Sequence, residues 1–141
     1  MQSPAESPSP ATNRAPVRAH ILVADDEAGI RMLVARTLQR AGYDVSSVVH
    51  GGEALALLER QHVDLLITDL VMPEKEGIGT IMSLRRTHPD LPIIAMSGGN
   101  PRGPGDFLGI AGMLGARRTL RKPFDCDTLL TAVRELLEGR P

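Results

Sequence analysis

Four short strand-like runs in this sequence, three of them largely apolar, end in polar side chains with chemistry to offer. Asp25 and Asp26 follow His20-Ile21-Leu22-Val23-Ala24, and Asp69 follows Val63-Asp64-Leu65-Leu66-Ile67-Thr68. Ser97 follows Pro92-Ile93-Ile94-Ala95-Met96, and Lys122 follows Arg118-Thr119-Leu120-Arg121. If the runs are neighbouring parallel strands, all five residues meet at one sheet edge. Three carboxylates in a shallow pocket repel one another, and without compensation their pKa values rise. A divalent cation removes the conflict. Hard oxygen ligands from few residues, with room for water, favour Mg²⁺. The charges of Asp25, Asp26 and Asp69 are balanced by Mg²⁺ together with the Lys122 ammonium. A carboxylate beside Mg²⁺ can attack a phosphoryl group. The metal and a lysine would then neutralise charge on the transferring oxygens, and the Ser97 hydroxyl could donate a hydrogen bond to one of them.

That convergence depends on the elements in between. Ile30, Leu33, Val34, Leu38 and Ala41 recur at helical spacing, with Gly42 as the stop. Tyr43 to Val49 reads as a weaker strand, His50-Gly51-Gly52 as a break, and Glu53 to Arg60 as a helix. Gly77 to Thr87 reads as a helix, Gly98 to Gly105 as a loop with four glycines and two prolines, and Phe107 to Leu114 as a short helix. Asp127 is placed to cap a last helix carrying Leu129, Leu130, Val133, Leu136 and Leu137 on one face. Five strands alternating with helices, the strands nearly all apolar, predict an α/β fold: a doubly wound, five-stranded parallel sheet covered on both faces. Ligands of such sheets bind at the carboxyl ends of the strands.

Composition narrows the classes further. The 141 residues suit one domain, and a net charge of −1 gives no sign of a nucleic-acid or membrane-surface partner. With only Tyr43, Phe107 and Phe124 as aromatics, a base-stacking surface is not expected. Cys126 alone cannot form an intramolecular disulfide or a cysteine metal cluster, and an inert thiol is expected. His20, His50, His62 and His88 lack metal-ligand spacing and are expected at the surface or in loops. No apolar run approaches the ~20 residues of a membrane span. Residues 1–17, rich in proline and serine, read as a disordered tail without a secretory signal. Residues 18–138 read as the folded domain, and a cytoplasmic location is expected.

The segments Leu22-Val23-Ala24-Asp25-Asp26-Glu27, Asp69-Leu70-Val71-Met72-Pro73, Ala95-Met96-Ser97-Gly98 and Leu120-Arg121-Lys122-Pro123-Phe124 resemble the receiver domain of two-component response regulators, of the single-domain, chemotaxis-regulator-like type. The resemblance implies a flavodoxin-like (βα)5 receiver. In that family Asp69 would be the phosphoacceptor. Asp25, Asp26, Asp69 and the backbone carbonyl of Val71 would hold Mg²⁺, and Ser97 and Lys122 would contact the phosphoryl group. The donor would be a histidine kinase or phosphotransfer protein, with an unknown protein downstream. The resemblance also implies a cis peptide at Lys122-Pro123. Family members often carry an aromatic switch residue where this chain has Thr119, read here as half-buried. An activation signal is therefore expected to run through Ser97 and the Gly98 to Gly105 loop. Two other readings compete. A receiver-like scaffold would bind partners without phosphorylation. An Asp-nucleophile phosphatase of the haloacid-dehalogenase-like class would need a second Asp where Val71 stands.

Overall fold

A computed structural model of the chain describes residues 18–70, 76–98 and 115–138. Five strands form one parallel sheet: β1 (His20–Ala24), β2 (Asp44–Val48), β3 (Leu65–Asp69), β4 (Ile93–Ser97) and β5 (Arg118–Arg121), in the order β2-β1-β3-β4-β5. Four helices are described: α1 (Ala28–Arg40), α2 (Gly51–Arg60), α3 (Glu76–Thr87) and α4 (Cys126–Glu138). The expected tail 1–17, the loop from 99 to 105 and the helix Phe107 to Leu114 lie outside the described residues.

The pleat sorts side chains onto two faces. Ile21, Val23, Leu65, Ile67, Ile94, Met96 and Leu120 pack with Val34 and Leu38 of α1 and Leu129, Val133 and Leu136 of α4. Leu22, Ala24, Leu66, Ile93 and Ala95 pack with Ala54, Leu57 and Leu58 of α2 and Ile81 and Leu84 of α3. This is the doubly wound arrangement. It explains why β3 and β4 are buried along their whole length, and why such strands read as continuous apolar runs. The edge strand β2 is only half-buried, and its sequence signal is correspondingly weak.

Several boundaries differ from the sequence expectation. The pair Gly51-Gly52 does not break the chain but begins α2. His50 caps it, its Nδ1 accepting from the Glu53 N–H, while Glu53 Oε1 accepts from the Val49 N–H at 2.7 Å. These bonds satisfy one first-turn amide, that of Glu53, and tie the residue before the cap to the helix. The cap of α4 is Asp125, not Asp127: Asp125 Oδ1 accepts from the Thr128 N–H at 2.8 Å, and Asp127 lies in the first turn. Thr119 is exposed rather than half-buried. It lies on the edge strand β5, whose alternation turns Leu120 into the core. His20 opens β1, where the first run begins in the sequence, with Nδ1 3.0 Å from the His62 carbonyl and Nε2 2.8 Å from Ser46 Oγ.

The Thr128 amide, and secondarily its side chain, hold the Asp125 carboxyl below its ordinary value of 3.8. A depressed folded value means that the contribution is present above the unfolded pKa and disappears as pH falls through the folded one. Asp125→Ala is expected to lower the melting temperature near neutrality, and the difference from wild type should shrink below pH 3.8. Asp125→Asn, which keeps the acceptor, should melt close to wild type at neutral pH. Equal losses for Ala and Asn at neutral pH would count against the cap.

At the far end of the sheet, Arg85 of α3 donates to the carbonyls of Pro89 and Leu91, at 3.0 and 2.8 Å. Gly115 sits against it with φ +115°, and a Cβ there would lie 2.8 Å from Arg85 Cδ. Gly115→Ala is expected to lower stability by about 1–3 kcal/mol through backbone strain and this contact. An unchanged urea midpoint would exclude that cost.

Candidate functional site

The five strand-end residues sit where the fold requires, at the carboxyl edge. Parallel pairing aligns Ala24 with Thr68, Asp69 with Met96, and Ser97 with Arg121. Main-chain bonds continue past the strand ends. Leu70 N–H donates to the Met96 carbonyl at 2.9 Å, and Lys122 N–H donates to the Ser97 carbonyl at 2.7 Å. The second bond anchors the lysine beside β4. The peptide that follows, Lys122-Pro123, is cis.

Asp25 and Asp69 are buried and Asp26 is exposed, and one carboxylate oxygen from each lies within 4.8 Å of the others. Asp25 is held by its neighbours. Its Oδ1 accepts from the Glu27 N–H at 2.9 Å, and its carbonyl accepts from Arg31 Nη1 at 2.7 Å. Lys122 Nζ lies 2.9 Å from Asp25 Oδ2, 3.1 Å from Glu27 Oε1 and 3.5 Å from Asp69 Oδ2. Its side chain is 8% exposed. Burial opposes the ammonium, but the bond to Asp25, the charge of Asp69 and the bond to Glu27 outweigh it and raise the lysine pKa. The lysine stays charged through the neutral range.

The structure therefore brings together Asp25, Asp26, Asp69 and Lys122, with Ser97 buried at the adjoining strand end. Val71 lies outside the described residues. Sequence spacing does not point to Glu27, whose ion pair with Lys122 joins residues 95 apart, a separation that leaves no local pattern. The donor set suits a hard cation: three carboxylates, two of them buried, clustered within ligand distance of one another.

Comparison with known proteins agrees with this architecture. The family model of the response regulator receiver domain matches residues 21–134. Sensor kinase CckA of Brucella abortus (strain 2308) is 38% identical over 122 residues, which are 85% of this chain and 13% of that protein. A probable transcriptional regulator, ycf27 of Porphyridium aerugineum, is 40% identical over 121 residues, 83% of this chain and 47% of that protein. The chain thus spans less than half the length of these curated relatives. The chemotaxis protein CheY4 of Vibrio cholerae superposes with a TM-score of 0.77 at 31% identity, covering 86% of this chain and all of that one. Among the described residues no helix is long and apolar enough to cross a membrane. On its sequence, its sheet order and the match across its core, the chain belongs to the response regulator receiver domain family.

Proposed function

We propose that this chain is a phosphorylation switch whose acceptor is Asp69. The observation that carries the reading is the cluster of Asp25, Asp26 and Asp69 around the buried Lys122 ammonium. A carboxylate oxygen of Asp69 attacks the phosphorus of a phosphohistidine on a kinase or phosphotransfer protein. The P–N bond breaks, its electron pair leaves with the imidazole, and an acyl phosphate forms. Water later attacks the phosphorus, releasing inorganic phosphate and restoring the carboxylate. Asp25, Asp26, Asp69 and the Val71 carbonyl would hold Mg²⁺, which supplies neutralisation of charge on the transferring oxygens. Lys122 pairs with a phosphoryl oxygen and Ser97 donates a hydrogen bond to another.

In this reading the chain promotes its own phosphorylation and dephosphorylation, and its output is altered binding of a downstream protein. A cytoplasmic location goes with such a donor. Thr119, at the usual switch position, cannot supply the volume change of a rotating ring. The signal would instead leave through Ser97 toward the glycine-rich segment that begins at Gly98.

The test is labelled acetyl phosphate with Mg²⁺. Uptake of about one phosphoryl group per chain, abolished by excess chelator, supports the switch. Rapid turnover without accumulated label would favour the phosphatase reading, and no labelling the scaffold. Unchanged labelling in chelator would overturn the Mg²⁺ assignment.

A further inference from the structure

Glu27 is the cap residue of α1, yet its side chain makes no capping hydrogen bond. Glutamate is not a favoured cap. Ser, Thr, Asp and Asn are, because their short side chains reach the first-turn amides. The Glu27 carboxylate turns to Lys122 instead, at 3.1 Å, while its own N–H is fixed by Asp25. An ammonium has three N–H donors, and three carboxylates surround this one: Asp25, Glu27 and Asp69. They are not equivalent. Asp25 and Asp69 are buried members of the cation cluster, whereas the Glu27 side chain is 63% exposed on the rim and outside that cluster. With Asp25 and Asp69 committed to a cation, Lys122 loses two partners and is repelled by the added charge. Glu27 is the partner that remains.

We propose that Glu27 is a positioning residue that tethers the Lys122 ammonium at the pocket mouth when Asp25 and Asp69 engage a divalent cation. The lysine then stays beside Asp69 instead of swinging into solvent. This rests on the reading of the pocket given above, and it assigns Glu27 a role distinct from that of the acidic pair. The contrary view is that a rim ion pair with one exposed partner contributes nothing measurable.

The chain has only two lysines, Lys75 and Lys122, so a lysine side-chain ¹⁵Nζ spectrum holds two signals. The full chain and Glu27→Gln are compared with and without saturating Mg²⁺, with the backbone amides of residues 25 to 27 reporting cation binding. The expected result is that both proteins show the Lys122 signal without Mg²⁺. With Mg²⁺ the wild type keeps it, and Glu27→Gln loses it to rapid exchange with water. A Lys122 signal that survives Mg²⁺ equally in both proteins, or vanishes in both, overturns the tether while leaving the cation site standing. Its absence from the wild type under either condition also overturns the tether. If Mg²⁺ moves none of the reporting amides, the reading of the pocket fails and takes the tether with it. That outcome is separate from a bound cation with an indifferent lysine.

Discussion

Asp69→Asn is expected to take up no label from acetyl phosphate or a phosphohistidine donor, under conditions where the wild type is labelled once per chain. The amide nearly matches the carboxylate in volume but is neutral and a poor nucleophile toward phosphorus. The fold should survive. Asp69 is 3% exposed and faces Asp25 across Lys122, so removing its charge relieves repulsion as it weakens one ion pair. Melting close to wild type, together with labelling at background, is the predicted result. Stoichiometric labelling of the variant at a hydrolytically labile site would remove Asp69 from the acceptor role.

The second large effect concerns Lys122. Lys122→Met should lower the unfolding free energy by about 3 kcal/mol when divalent cations are chelated, because breaking a buried ion pair leaves uncompensated charge. Asp25 would keep the Glu27 N–H but lose the ammonium at 2.9 Å, while still facing Asp69. On a domain whose total stability is ~5–15 kcal/mol, that is a large share. Millimolar Mg²⁺ should restore part of the loss, since a ligand bound only by the folded state stabilises it. Urea unfolding in chelator and in Mg²⁺ measures both quantities. Equal stability of variant and wild type in chelator would show that the carboxylates do not depend on the lysine.

How much of this was legible beforehand follows from the physics of each signal. Strands buried on both faces leave nearly uninterrupted apolar runs, so Asp69 and Ser97 stand out as the polar residues that end β3 and β4. Gly42 was legible as the stop of α1 because a φ of +100° has few tenants other than glycine. The start of α2 was not legible. Two glycines are poor helix formers, and what holds them there is a bond pair among Val49, His50 and Glu53 that propensity does not encode. With Asp125 and Asp127 both near the start of α4, spacing alone could not choose between them, and the Thr128 amide decides. Glu27 was hidden for a different reason: its partner comes from the opposite end of the chain.

That distance governs when the pocket is complete. Asp25 and Lys122 are 97 residues apart, and β5 is the last strand in the chain and at the sheet's edge. Each parallel pairing requires a long crossover, so loop-closure entropy opposes assembly and such pairings form slowly. During synthesis the acidic pair emerges long before the lysine exists. A nascent or clipped chain ending before β5 carries Asp25, Asp26 and Asp69 without the ammonium that balances them. Under the proposed switch, such fragments also lack the lysine that would pair with a phosphoryl oxygen. Completion of the pocket therefore coincides with docking of the last strand, β5, at the sheet's edge.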